Sequence, residues 1–188
     1  MHHEVVSGVN TFIREQTTGQ GEANVTILQF DTTIERVVEN TSVRLVPTFN
    51  TREHFVPRGG TALLDGIGAT IEKLSAQISR SGHNDAQACC VIATDGMENS
   101  SSKYSRDQIF SLINEKKLKG WTFIFLGANQ DAIQAGASFG VPAAQCLTFA
   151  ATGAGFQSAF GSCSHKVAEK RATGACSAFS PIERGACM

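Results

Sequence analysis

Two polar residues stand where apolar segments end, and their side chains could hold a divalent cation. Thr61 follows Gly59 and Gly60 at the start of a helical pattern, and Asp95 ends an apolar run directly before Gly96. In doubly wound α/β sheets, ligands bind at the carboxyl ends of the strands, near the point where the strand order reverses. A hydroxyl and a carboxylate on adjacent loops are hard oxygen ligands, which suit Mg²⁺. The two residues therefore form a candidate metal site.

Helix and strand patterns alternate along the chain. Apolar residues at helical spacing predict helices over 4–16, 58–78, 105–120 and 131–140. Apolar or alternating runs predict strands over 24–31, 34–40, 88–96, 121–128 and 145–149. The first two strands are expected to pair as a hairpin. Such alternation indicates an α/β fold with a doubly wound, mostly parallel sheet and helices on both faces.

The composition changes after Ala150, where Gly, Ala and Ser become frequent. We therefore predict one domain over residues 1–150. A C-terminal Gly/Ala/Ser-rich segment over 151–188 is expected to contain a helix through about 154–171 and then a mobile tail.

The bulk properties argue against several classes of protein. The chain has 188 residues and a formal net charge of −1, so no overall field draws it to nucleic acid or to an anionic membrane. No apolar stretch approaches the length of a membrane-spanning helix. Three of the six cysteines lie in apolar runs, and Cys163 with His165 lacks the paired C-x-x-C of a zinc site. We expect a reduced, cytoplasmic protein with neither nucleic-acid nor membrane partners.

The order of the segments resembles that of bacterial von Willebrand factor A-type domains. The matching segments, within residues 4–150, are VVSGVNTFIREQ, VTILQFD, GGTALLDGIG, VIATDGMENSS and FIFLGANQDA. The resemblance implies a protein–protein interaction module with a metal-ion-dependent adhesion site. That site has an Asp-x-Ser-x-Ser motif after the first strand, a Thr in the next loop and an Asp after the fourth strand. Thr61 and Asp95 match the last two parts. It further implies Mg²⁺ or Mn²⁺ in the full-length form and a protein ligand whose acidic side chain completes the metal shell.

The first part of that site has no counterpart in this sequence. No Asp-x-Ser-x-Ser precedes the first helix. We therefore expect an N-terminally truncated domain without its central first strand, in which Thr61 and Asp95 alone make a poor Mg²⁺ site. Five apolar side chains of such a strand would contribute roughly 7–15 kcal/mol. Because net stability is only about 5–15 kcal/mol, the chain is expected to be unstable alone, or its sheet to close up.

Each candidate residue also has a structural interpretation. Thr61 could be the N-cap of the helix, with its hydroxyl accepting a backbone N–H, and Asp95 could be a turn residue. Residues 98–100 are predicted to form a solvated loop at the rim of a binding face. Asp31 is predicted to shape a turn. Asp65 is predicted to lie in the first turn of a helix, where a carboxylate interacts favourably with the helix dipole.

An enzymatic function has less support in the sequence. The chain contains neither G-x-x-x-x-G-K-[ST] nor G-x-S-x-G, and Gly153-Ala-Gly155 lacks the strand context of a dinucleotide site. His54, His83 and His165 are scattered and are expected at the surface. The leading prediction is a non-enzymatic interaction module. The alternatives are a small α/β enzyme of unknown reaction and a non-functional gene fragment.

Overall fold

The computed structural model describes residues 2–50, 59–82 and 87–188. Within these ranges the helices are α1 (His2–Thr17), α2 (Leu63–Ser81), α3 (Arg106–Leu118), α4 (Ala132–Ser138), α5 (Gly153–Thr173) and α6 (Pro181–Ala186). The strands are β1 (Asn24–Phe30), β2 (Ile34–Ser42), β3 (Cys89–Thr94), β4 (Thr122–Ala128) and β5 (Cys146–Phe149). None of the described helices is both long and apolar enough to cross a membrane.

The strands form two separate sheets. β1 and β2 are an antiparallel hairpin in which Gln29 lies opposite Glu35. The other sheet is parallel, with the order β3-β4-β5 and with Cys90 opposite Phe123. The α/β class and the parallel sheet are therefore confirmed. In the described part of the chain β1 and β3 do not pair with each other, so the expectation that the sheet closes up is wrong.

Helices cover both faces of the parallel sheet because successive strand residues point to opposite sides. Phe123 and Phe125 of β4 are fully buried in a core shared with α2 and α3. Ile124 and Leu126, between and beyond them, are equally buried in a second core shared with α5 and, at its edge, α1. The apolar run over 121–128 thus belongs to a strand buried on both faces, as its composition indicates.

Local signals set the ends of α3. The Ser105 hydroxyl accepts from the Gln108 N–H at 3.3 Å, and the Gln108 side chain accepts from the Ser105 N–H at 2.7 Å. This is the capping box that the spacing of these residues predicts. After the helix, Gly120 has a φ of 81°, a left-handed conformation that glycine adopts without strain.

The residues after α5 are packed, so the prediction of a mobile tail is wrong. Phe179 and Cys187 are buried against the second core. The Arg184 guanidinium donates to the Cys146 carbonyl at 2.8 Å, and the Ala150 N–H donates to the Cys187 carbonyl at 2.8 Å. These contacts fasten α6 beside β5, although its short sequence has few apolar residues to reveal it. The division of the chain at residue 150 stays a prediction.

Candidate functional site

The candidate site lies where β1 and β3 both end. The Ala62 N–H donates at 2.6 Å to the carbonyl of Asp31, which follows β1. The Thr61 hydroxyl lies beside Gly96, two residues after β3, because a Cβ added to Gly96 would be only 2.6 Å from Thr61 Oγ1. One short segment therefore reaches from the end of β1 to the end of β3. It brings Thr61 beside the loop that carries Asp95.

The Thr61 hydroxyl and the Asp95 carboxylate are oxygen ligands of the type that a hard cation prefers, but two side chains are few for a metal site. Asp95 is exposed and Thr61 is half-buried. In the described residues, no three or more His, Cys, Asp and Glu side chains come together in a way that could hold a metal ion. Mg²⁺ commonly binds through one or two carboxylates and keeps several waters. The chain can thus supply part of such a site, with the remaining ligands coming from water or from another polypeptide segment.

Thr61 does not cap α2. The N-cap position is Ala62, which has no side-chain capping hydrogen bond. Instead, Glu98 Oε2 accepts from the Leu64 N–H at 2.9 Å, and the Ser101 hydroxyl accepts from the Asp65 N–H at 3.1 Å. The N-cap interpretation of Thr61 is therefore wrong, because the helix start is satisfied by side chains from a loop more than thirty residues away.

Glu98 is the polar centre of that loop, and sequence reasoning missed its role. Besides Leu64, its carboxylate accepts from the N–H groups of Ser100 at 3.0 Å and Ser101 at 2.8 Å, and from the Ser101 hydroxyl at 2.7 Å. The Asn99 side chain accepts from the Thr61 N–H at 2.8 Å. The prediction of a solvated loop over 98–100 holds for Asn99, which is exposed, but Glu98 also has a structural role at the start of α2. Partial burial opposes ionisation of Glu98, but the hydrogen bonds from Leu64 and Ser101 outweigh it and lower the pKa.

Asp65 fastens the same loop further along. It lies in the first turn of α2, as predicted, and it is buried. Its carboxylate accepts from the N–H groups of Ser102, Lys103 and Tyr104, each at 3.0 Å. Burial acts to raise the pKa of Asp65, but these backbone hydrogen bonds prevail and lower it. Two carboxylates thus hold the loop that follows Asp95 against the start of α2.

Asp31 shapes the turn between β1 and β2, as predicted. Its Oδ1 accepts from the Thr33 N–H at 2.7 Å and from the Thr33 hydroxyl at 3.1 Å. An aspartate commonly stabilises a turn in this way, by accepting from the backbone two residues further on. The same turn places the Asp31 carbonyl to accept from Ala62.

The described residues offer poor candidates for covalent catalysis. All six cysteines are free, and burial raises the pKa of Cys90 to about 12 and that of Cys146 to about 11, so both thiols stay protonated at neutral pH. His165 is exposed on α5, as predicted. His54 and His83 lie outside the described residues.

Comparison with known proteins shows a likeness of fold. No protein-family model matches the chain, and neither does any curated protein. The chain is similar to proximal thread matrix protein 1 from the mussel byssus, with a TM-score of 0.64 and 18% identity over 85% of this chain and 41% of that one. A structure of the same mussel protein with a zinc-occupied MIDAS motif gives a TM-score of 0.62 and 17% identity, over 84% and 41% of the two chains.

The chain thus spans about two fifths of the length of the structures it matches. An identity below one fifth supports the fold and nothing finer. The likeness confirms the von Willebrand A-like α/β fold predicted from the sequence.

Proposed function

We propose that this chain is a protein-interaction module of the von Willebrand A type, in which Thr61 and Asp95 provide two ligands for a divalent cation. The observation that carries the proposal is the position of the Thr61 hydroxyl beside Gly96, at the carboxyl ends of β1 and β3. The zinc-occupied motif of the mussel protein, which shares this fold, supports a divalent cation at such a site. We favour Mg²⁺ or Mn²⁺ as this cation, because a hydroxyl and a carboxylate are hard ligands.

The partner in this proposal is a protein that presents an acidic side chain. A cation held by one carboxylate and one hydroxyl keeps open positions and a net positive charge, so an Asp or Glu from a partner would complete its shell. Asp95 is exposed, and its neighbour Met97 is 77% exposed, so the surface around the site is accessible and partly apolar. Glu98 and Asp65 would keep this surface fixed, because they tie the loop to α2.

The proposal extends to the location of the protein. We propose a cytoplasmic module without nucleic-acid or membrane partners. The six free cysteines are compatible with a reducing compartment, and the net charge of −1 provides no general attraction to polyanions.

The test is metal-dependent binding of an acidic peptide. We expect the protein to bind Mn²⁺ weakly, and a short Asp-containing peptide to bind only when Mn²⁺ is present, with both followed by calorimetry. Asp95→Ala should weaken Mn²⁺ binding at least tenfold, and Thr61→Val should weaken it whereas Thr61→Ser should not. Asp107→Ala is the matched control, because Asp107 is an exposed carboxylate in the first turn of α3.

Peptide binding that needs no metal would contradict the proposal and indicate a metal-independent scaffold. Mn²⁺ binding that is equally strong in Asp95→Ala would contradict the assignment of the ligands.

A further inference from the structure

Asn99 contacts Thr61 through two separate hydrogen bonds. Its side-chain Oδ1 accepts from the Thr61 N–H at 2.8 Å, and its own N–H donates to the Thr61 carbonyl at 3.1 Å. Both hydrogen-bonding groups of the Thr61 main chain are therefore held by one residue. Asn99 is four residues after Asp95 on the loop that follows β3. The contact thus joins the segment that carries the hydroxyl to the loop that carries the carboxylate.

Hydrogen bonds on both sides of the Thr61 Cα fix the direction of its side chain. Because peptide groups are planar, holding the N–H and the carbonyl of one residue orients the planes on both sides of its Cα. The Thr61 hydroxyl then changes position only by rotation about χ1, for which three staggered positions exist. The observed position uses the space that Gly96 leaves free, since a Cβ at residue 96 would lie 2.6 Å from Thr61 Oγ1.

The Asn99 side chain is itself held in place by its neighbour Ser100. The Ser100 hydroxyl donates to Asn99 Oδ1 at 2.6 Å, and the Ser100 N–H donates to the Glu98 carboxylate at 3.0 Å. A Cβ at Gly60 would lie 3.1 Å from Ser100 Cβ, so the missing side chain at residue 60 lets the two segments approach closely. Asn99 Oδ1 is therefore a fixed acceptor for the Thr61 N–H.

Asn99 differs from Glu98 in what its hydrogen bonds support. Glu98 is partly buried, and its carboxylate accepts from the Leu64 N–H at the start of α2. Asn99 is exposed, and its Oδ1 accepts from Thr61 and Ser100, which both lie in loops. Substitutions at exposed positions usually change the stability of a protein little. Loss of the Asn99 side chain should therefore act locally, on Thr61.

We infer that Asn99 is a positioning residue, which fixes the Thr61 hydroxyl beside the loop of Asp95 and so sets the spacing of the two cation ligands. The part that concerns the cation rests on the proposed function, whereas the placement of the hydroxyl does not. Loss of a residue that orients a metal ligand without touching the metal typically weakens binding roughly 10- to 100-fold.

The first test uses the full chain without metal. Scalar couplings of Thr61 report its χ1 rotamer, and amide exchange reports its N–H. We expect a single rotamer in the unmodified protein and in Asn99→Asp, which keeps the acceptor oxygen. In Asn99→Ala the couplings should be averaged over rotamers, and exchange of the Thr61 amide should be at least about tenfold faster. The melting temperature should change by less than about 2 °C.

Asn24→Ala is the matched control for both readouts. Asn24 is also exposed, and its side chain also forms a hydrogen bond, to Asn40 Oδ1 at 3.1 Å. It begins β1, whereas the candidate site lies where β1 ends. We therefore expect the rotamer and the amide exchange of Thr61 to be unchanged in this variant.

The second test is a double-mutant cycle in Mn²⁺ affinity, measured by calorimetry. Asn99→Ala should weaken Mn²⁺ binding by roughly tenfold. In the Thr61→Val background the same substitution should change the affinity by less than about twofold, because no hydroxyl is left to position.

Two results would overturn the inference. One is an unchanged rotamer and unchanged amide exchange of Thr61 in Asn99→Ala. The other is an equal loss of Mn²⁺ affinity in the two backgrounds, which would show that Asn99 acts without Thr61. If the unmodified chain binds no Mn²⁺, the proposed function fails, and averaged Thr61 couplings in Asn99→Ala would still support the placement of the hydroxyl by Asn99.

Discussion

Close contacts between a few small residues decide how the candidate site is built. A Cβ on Gly96 would lie 2.6 Å from the Thr61 hydroxyl, and one on Gly60 would lie within 3.1 Å of three side-chain atoms, Thr32 Cγ2 and the Cβ and Oγ of Ser100. These glycines are needed because backbone and side chains from three separate segments meet there. The sequence shows the glycines, but it does not show which segments approach them.

Substitution of Gly96 should be costly, and the cost should depend on Thr61. We expect Gly96→Ala to lower the free energy of unfolding by about 1–3 kcal/mol, because the new methyl group overlaps Thr61 Oγ1. In the Thr61→Ala background the same change should cost less, with a coupling energy of at least about 0.5 kcal/mol. Urea unfolding of the four proteins measures this cycle. Gly161→Ala is the control, since open space surrounds that position and no loss of stability is expected.

Loss of the Glu98 carboxylate should destabilise the domain. A glutamine side chain at this position would have only one acceptor oxygen for the four donors that Glu98 satisfies. We therefore expect Glu98→Gln to cost about 1–3 kcal/mol in urea unfolding. Glu115→Gln is the matched control, because Glu115 is exposed and pairs with Lys119 at 2.7 Å on the surface of α3, a type of pair worth less than about 1 kcal/mol. Equal effects of the two substitutions would show that the loop contacts contribute little.

The lowered pKa values of two carboxylates predict how the stability of the protein changes at acid pH. The pKa values of Glu98 and Asp65 are lower in the folded protein than in the unfolded chain. Their contribution is therefore present above the unfolded-state values, near pH 4, and is lost as the pH falls through the folded-state values. The decline of stability below about pH 5 should be shallower in Glu98→Gln than in the unmodified protein.

Among the elements, the short C-terminal helix α6 shows most clearly that tertiary packing can order a segment whose composition does not predict an ordered structure. Its capping box, Ser180 with Glu183, repeats the pattern of Ser105 and Gln108 in α3. The buried Lys166 pairs with Glu183 at 3.2 Å and lies over the Phe179 ring. A segment rich in small residues thus becomes part of the core through one aromatic side chain and a few charged contacts.

Truncation of Phe179 should reveal this packing. The side chain is only 4% exposed, so we expect Phe179→Ala to lower the free energy of unfolding by about 3–5 kcal/mol. Ile182→Ala should change it by less than about 0.5 kcal/mol, since Ile182, which lies in α6 three residues after Phe179, is 83% exposed. Thermal or urea unfolding compares the two. A negligible effect of Phe179→Ala would restore the expectation of a loosely attached tail.

The described molecule combines a well-packed parallel sheet with a separate antiparallel hairpin. β4 is buried on both faces, whereas most of β1 is only partly buried and lines a cavity of about 1180 Å³ between the two sheets. Apolar residues around this cavity, such as Val9 and Leu74, are less buried than the residues between β4 and its helices. The arrangement therefore supports the sequence-based expectation of low stability for the isolated chain.

Thermal unfolding of the unmodified chain should reflect this arrangement. We expect a melting temperature below about 50 °C, at the low end of the roughly 45–65 °C of mesophilic domains. Amide exchange should be faster in β1 than in β4. A cooperative transition of the monomer above about 50 °C, with uniform exchange protection in all strands, would contradict the expectation.

The amino-acid sequence alone is sufficient to predict the type and order of the elements through α5, because the spacing of apolar residues depends on whether an element is buried on one face or on both. It also singled out Thr61 and Asp95, since both follow glycine-rich or apolar signals. The roles of Glu98 and Asp65 are visible only in the folded chain, because Glu98 accepts from Leu64 and Asp65 accepts from Tyr104. These backbone N–H groups lie 34 and 39 residues away and carry no sequence signal. The packing of α6 and the cavity between the sheets likewise depend on long-range contacts, which local propensities do not encode.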